Sequence, residues 1–221
     1  MTRATTDRPP DQPLRLAAIG GLAFTILYVA HRLLQGTGPD SSGAAAVAAY
    51  QVAHRGALLA SEVAVALALL AFIPFLAGLV PAIWRAGQET LAVTVGISGG
   101  VFVAMGFVSN AAETALIGVA DADQRAAVLA LDQLQGRIPI VWTITALVAA
   151  LSLASWRTGL VGRWLAAAGL VAAAVFLLGS VFSILGRTPE GGSSLVGVGL
   201  FILWMLALSF GLWRTAARGG V

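Results

Sequence analysis

Two glutamates, an asparagine and two histidines stand out because they interrupt apolar sequence. Glu62 lies about two turns inside a run that is otherwise apolar from Arg55 to Ile83. An ionised carboxylate in such a place costs at least ~2.5 kcal/mol on insertion scales, so it has to face other helices or water, or stay protonated. Such a group is a candidate general acid or a site for a proton or cation. Arg55, seven residues earlier, shares its helical face but sits about 10 Å away along the axis. A structural carboxyl paired with a neighbouring helix is the plainer alternative. Ser109, Asn110 and Glu113 form a second cluster towards the end of another apolar run. Asn110 and Glu113 are three apart and share a face. A carboxylate at headgroup depth is cheap, so a solvated helix end is the plainer expectation for Glu113. Glu62, Glu113 and Asn110 are therefore the candidate catalytic residues.

His31-Arg32 closes one apolar run and His54-Arg55 opens the next. Histidine can shuttle protons or ligate a metal or haem. Haem ligation would require His31 and His54 to face each other across one cavity. Packing at a membrane interface explains both more simply. His31, His54, Ser109 and Trp204 are the candidate substrate-binding residues. Trp204 lies mid-run, where its indole N–H needs a partner or a water-lined face. No phosphate-binding glycine loop with lysine, HExxH, or GxSxG with a triad is present. Cysteine is absent, which excludes disulfides and thiolate chemistry. No cofactor and no metal is expected.

The elements that must carry these residues follow from composition. Of 221 residues, 58% are hydrophobic and 10% charged, against about 25% charged in soluble domains. The apolar runs are long enough to cross a hydrocarbon core at about 1.5 Å per residue. The expectation is an all-α, polytopic transmembrane helical bundle of six spans, at about 16–34, 55–83, 91–117, 138–156, 164–185 and 195–213. These form one domain, 14–215, between a disordered tail at 1–13 and a short tail at 216–221. A signal peptide is the rival reading of the first run, which is longer than the usual h-region. Ala44 to Tyr50 reads as a short interfacial helix. Pro74 predicts a kink in the second span. Asp121 is placed to cap a short surface helix, whose Ala126, Leu129, Leu131 and Leu134 could rest on the membrane. Gly96 and Gly100 make a small-xxx-small pair for a helix-packing partner and mark the third span as the bundle centre.

All thirteen basic residues are arginine. With the N-terminus inside, Arg3, Arg8, Arg15, Arg85, Arg157, Arg163, Arg214 and Arg218 fall on the inner side, and five others on the outer. The positive-inside rule then favours both termini in the cytoplasm. Trp84, Trp156, Trp164 and Trp213 fall at inner ends beside arginines, as an aromatic belt would. The titratable candidates, by contrast, all fall in the outer half. A water-accessible cavity opening outward would explain this, as would a thin hydrated rim. The expected location is a bacterial cytoplasmic (inner) membrane, with the lipid bilayer as partner and no nucleic acid, since no dense basic stripe exists.

The layout resembles small bacterial integral-membrane proteins of the domain-of-unknown-function 4386 type. Arg163-Trp164-Leu165 through Gly169-Leu170, after Arg157-Thr158-Gly159, carries the likeness. Phe75-Leu76-Ala77-Gly78-Leu79 ending in Trp84-Arg85 adds to it, as do Leu203-Trp204 and Trp213-Arg214. Such proteins often have proline before Arg-Trp-Leu; here Gly162 stands there. The resemblance implies a multi-helix membrane protein and assigns no activity. Three functions compete. The leading one is an intramembrane acid–base enzyme, cyclase- or isomerase-like, acting on a lipidic or isoprenoid small molecule. The second is a proton- or cation-coupled transporter or its accessory. The third is a structural partner protein.

Overall fold

A computed structural model describes residues 12–38, 43–122, 124–184 and 192–218. Among them the regular structure is helical throughout: α1 Gln12–Gln35, α2 Ala44–Ala53, α3 Arg55–Arg85, α4 Glu89–Asp121, α5 Arg125–Arg137, α6 Ile140–Thr158, α7 Arg163–Ile184 and α8 Gly192–Ala217. Six helical segments are long and apolar enough to cross a membrane; the fourth, Arg125–Thr158, contains α5 and α6, and the 19-residue α6 is its crossing part. The expected all-α, six-span architecture is what the structure has. Most of the expected tail at 1–13 lies outside the described residues, but Gln12 and Pro13 already belong to α1. The Pro39 to Ser42 turn, most of the loop after α7 and the last three residues also lie outside them.

Glycine and backbone geometry end the helices. After α3 the chain turns at Gly87, whose φ is +75°. There the Gly87 amide donates to the Trp84 carbonyl and the Gln88 amide to the Ile83 carbonyl. These bonds satisfy carbonyls that the helix end leaves open. Gly159, at φ +71°, ends α6 in the same left-handed conformation. Within α3 the helix runs on through Pro74 and Pro81.

The six spans close into a ring. α1 packs on α3, α3 on α4, α4 on α6, α6 on α7, α7 on α8, and α8 returns to α1. Phenylalanines fill the middle: Phe24 of α1, Phe72 of α3, Phe102 of α4 and Phe201 of α8. The Phe24 ring lies 4.9 Å from Phe72 and 6.0 Å from Phe201, and Phe72 lies 5.2 Å from Phe102. All three pairs meet edge to face, the favourable aromatic geometry.

The tightest helix contact is between α1 and α3, not at α4. A methyl group on Gly78 would lie 2.0 Å from the Pro13 carbonyl oxygen, and one on Gly20 would lie 2.6 Å from the Phe75 nitrogen. Backbone approaches backbone there, which only glycine permits. Gly100 instead has open space where its side chain would be. In α4, Gly99 and Gly106 meet α3 most closely, each beneath a leucine, Leu76 and Leu69, and Gly96 faces Val80 of α3 at ordinary contact distance. Of the expected pair Gly96 and Gly100, only Gly96 packs inside the bundle; Gly100 is turned about 100° from Gly99.

The two ends of the ring differ. Trp84, Trp156, Trp164 and Trp213 are all exposed at one end. At the other end α2 and α5 lie over the mouth of the bundle as a cap. Val47 and Ala48 of α2 and Val128 of α5 bury themselves against Leu116 and Ala120 of α4, a small core separate from the main one. Two expectations about this cap need correction. Asp121 does not cap the surface helix: α4 runs on to Asp121, and Gln124 takes the cap position of α5 without a side-chain bond. Leu131 joins the small core, whereas Ala126, Leu129 and Leu134 are exposed.

Candidate functional site

The candidate residues gather at the capped end, where three polar contacts join four helices. Glu62 projects from α3 towards α4. The Asn110 side-chain amide donates to its Oε2 at 2.7 Å and to its backbone carbonyl at 2.9 Å. Ser61, the preceding residue, points the other way, to α1. Its hydroxyl lies 2.7 Å from His31 Nδ1 and donates to the His31 carbonyl at 3.1 Å. Adjacent residues on a helix point about 100° apart, so α3 holds one polar partner on each side. The third contact joins the cap: the Gln51 amide of α2 donates to Glu113 Oε1 of α4 at 3.0 Å.

Glu113 is not at a solvated helix end. It is 4% exposed, and Glu62 is 6% exposed. The cap covers Glu113, with Gln135 of α5 as a further hydrogen-bond partner and Asp132 nearby. Depth along α4 alone predicts a wet carboxylate; the burial comes from α2 and α5 folding back over it. Glu62 and Glu113 lie close enough to interact electrostatically. With Asn110 one turn from Glu113 on α4, they form one continuous polar seam between α3 and α4.

A polar cavity of about 230 Å³ lies beneath the cap and meets this seam at Glu113. Arg32, Gln35 and Tyr50 form one part of its wall, and Gln51, Glu113, Asp132 and Gln135 another. The Tyr50 hydroxyl donates to the Gln35 carbonyl at 2.6 Å, and the Arg32 guanidinium donates to the Gln35 side chain. The Tyr50 bond fastens α2 to the end of α1, and the Arg32 bond lies within α1. Below, the phenylalanine cluster closes the bundle. Glu62 and Phe72 are ten residues apart on α3, about 15 Å at 1.5 Å per residue.

The other candidates lie elsewhere. His54 is exposed at the junction of α2 and α3 and stacks on Tyr50 at 4.4 Å. His31, by contrast, is buried against Ser61 of α3. Ser109 is half-buried on α4, turned about 100° from Asn110. Trp204 is buried among α6, α7 and α8, far from the carboxyls. Its indole N–H donates to the Leu165 carbonyl at 3.2 Å, passing close over Gly169. That bond answers its need for a partner. Among the described residues no three potential metal ligands come together.

Sequence reasoning missed Ser61, Gln51, Arg32, Asp132 and Gln135. Ser61 sits beside Glu62, and its only signal was adjacency. Gln51 and Gln135 were legible as polar residues on short helices. Nothing in their spacing said that those helices fold over α4.

Comparison with protein-family models, with characterised proteins and with solved structures finds no match for this chain.

Proposed function

We propose that the protein sits in a bacterial cytoplasmic membrane with both termini inside, and that it is a proton- or cation-coupled transporter or the accessory of one. Glu62 and Glu113 would be the exchanging groups. The carrying observation is their arrangement: two buried carboxyls on one seam, with a polar cavity at one end and a phenylalanine cluster closing the other. A group that takes up and releases a proton or cation needs access from one side and a seal from the other. Asn110 would hold Glu62 in place, and the Gln51 amide would do the same for Glu113. The orientation is supported by the tryptophan end, which holds eight of the thirteen arginines when its segments are counted in sequence.

The acid–base enzyme reading needs an apolar chamber that brings a lipidic substrate to Glu62. An apolar recess of about 500 Å³ is an open groove on the outer face of α3 and α4, lined by Ile73, Leu76, Val80, Pro81, Gly100 and Val103. Its nearest residue on α3 is eleven positions from Glu62, about 16 Å along the helix. The cavity that does reach Glu113 is polar. The structural-partner reading keeps one observation of its own: Gly100 leaves that outer groove open. A stoichiometric partner copurifying with the wild type and lost on Gly100→Leu would favour it.

The transport reading is tested in proteoliposomes carrying a pH-sensitive dye. Proton movement is followed on adding candidate solutes from the capped side. The expected result is solute-dependent proton movement, lost in Glu62→Gln at equal reconstitution. Equal proton movement in wild type and Glu62→Gln refutes the assignment.

A further inference from the structure

The cavity beneath the cap is lined by charges of both signs. Arg32 presents a guanidinium whose hydrogen-bond partner is the neutral Gln35 side chain. Two acids, Glu113 and Asp132, and the Gln51 side chain line the same cavity. Among the described residues no ion pair joins Arg32 to either acid, although all three line the same cavity. A guanidinium has five N–H donors and strong complementarity to carboxylate. Most of those donors remain uncommitted here.

A second observation points the same way. Gln51 is 5% exposed, and its Oε1 is buried with no hydrogen-bond partner. Exchanging the amide oxygen and nitrogen would turn that oxygen towards Glu113, acceptor against acceptor, unless the acid were protonated. The orientation with nitrogen on Glu113 is the satisfied one, and it leaves Oε1 needing a donor. A buried acceptor left open is costly. Gln51 Oε1 therefore lacks a hydrogen-bond donor, and the two acids, when ionised, favour a cationic donor.

We propose that this cavity binds a small zwitterion with a primary ammonium and a carboxylate, the chemistry of a small free amino acid. The ammonium would donate to Gln51 Oε1 and to the Glu113 and Asp132 carboxylates. The carboxylate would meet Arg32. The volume, about 230 Å³, equals roughly eight water volumes at ~30 Å³ each, which suits a solute of a few non-hydrogen atoms. A plain cation would leave Arg32 facing it across a small cavity, and a plain anion would face two acids. A betaine carries no N–H and would leave Gln51 Oε1 unmet. The proposal rests on the transport reading for its purpose, because it names the solute that would accompany the proton or cation, but binding is measured separately from transport.

The experiment is calorimetric titration of the full chain in nanodiscs with glycine, methylammonium and acetate at constant pH and salt. Glycine is expected to bind at least about tenfold more tightly than methylammonium or acetate, the gain from one additional charge-assisted contact. Arg32→Gln should weaken glycine and bring it to the methylammonium level, while methylammonium stays equal or tightens as the like charge is removed. Asp132→Asn, on a half-buried position of the cap, should weaken glycine and methylammonium together. Thermal melting of each variant establishes that it is folded. Equal affinity for glycine and methylammonium in the wild type overturns the proposal, as does the absence of binding by all three probes. An equal loss of glycine and methylammonium in folded Arg32→Gln also overturns it. Glu62→Gln separates the two readings: retained glycine binding with lost proton movement supports both, and glycine binding without proton movement in the wild type sinks only the transport reading.

Discussion

The contact between Asn110 and Glu62 makes an asymmetric prediction. Asn110 Nδ2 donates both to the Glu62 carboxyl, at 2.7 Å, and to the Glu62 backbone carbonyl, at 2.9 Å. Replacing Asn110 with leucine keeps the size but removes both donors. The backbone carbonyl retains its place in the helix ladder, whereas Oε2 of a 6%-exposed side chain loses a partner. An unsatisfied buried group of this kind costs about 1–3 kcal/mol. Replacing Glu62 with leucine removes the carboxyl instead, and the Asn110 amide keeps the carbonyl as its acceptor. Asn110→Leu should therefore destabilise more than Glu62→Leu. The double variant should be no worse than Asn110→Leu alone, since removing both partners is far cheaper than removing one. Coupling measured between polar pairs inside membranes averages ~0.6 kcal/mol and reaches ~1.7 kcal/mol. With one short direct bond, this pair belongs in the upper part of that range. The assay is a double-mutant cycle on reversible unfolding in bicelles. Additive single effects, or a Glu62→Leu cost equal to that of Asn110→Leu, refute the reasoning.

Gly78→Ala should destabilise by about 1–3 kcal/mol, the usual cost of overpacking, because its new methyl would meet the Pro13 carbonyl. Gly100→Ala should be neutral or stabilising by up to ~1 kcal/mol, the helix-propensity gain; melting temperatures in one detergent rank the two. Val128→Asp places a charge in the small core under the cap. It should raise amide exchange in α2 and α5 while the six spans stay protected, and equal exchange in the wild type counts against a docked cap. Trp204→Phe removes the bond to Leu165 and should cost about 0.5–1.5 kcal/mol. Proton movement in vesicles should be unchanged, because Trp204 stands apart from the carboxyls.

The number and length of the spans were legible in the chain because lipid imposes a local rule. Each crossing segment must satisfy its own backbone and stay apolar for about twenty residues. That rule acts on sequence windows, so windows reveal it. Glu62, Asn110 and His31 were legible for the same reason: a polar side chain in an apolar run has no local explanation and must find a partner. Their partners were another matter. Asn110 meets Glu62 across 48 positions, and Gln51 meets Glu113 across 62.

Only the tertiary structure decided which polar residues share a site and which glycines pack. Helical direction changes by about 100° per residue, so a single step separates Gly99, under Leu76, from Gly100, open to the groove. Glu113 shows the same limit. Its depth along α4 is a property of sequence, and by depth it belongs at the wet surface. Its burial depends on Val47 and Val128 packing on Leu116, a small non-local core that draws two short helices over the mouth of the bundle. The chain alone determines a membrane bundle with titratable residues gathered at one end. That they form a covered seam beneath a polar cavity follows from how the cap docks, because contacts between distant segments leave no periodic trace in either.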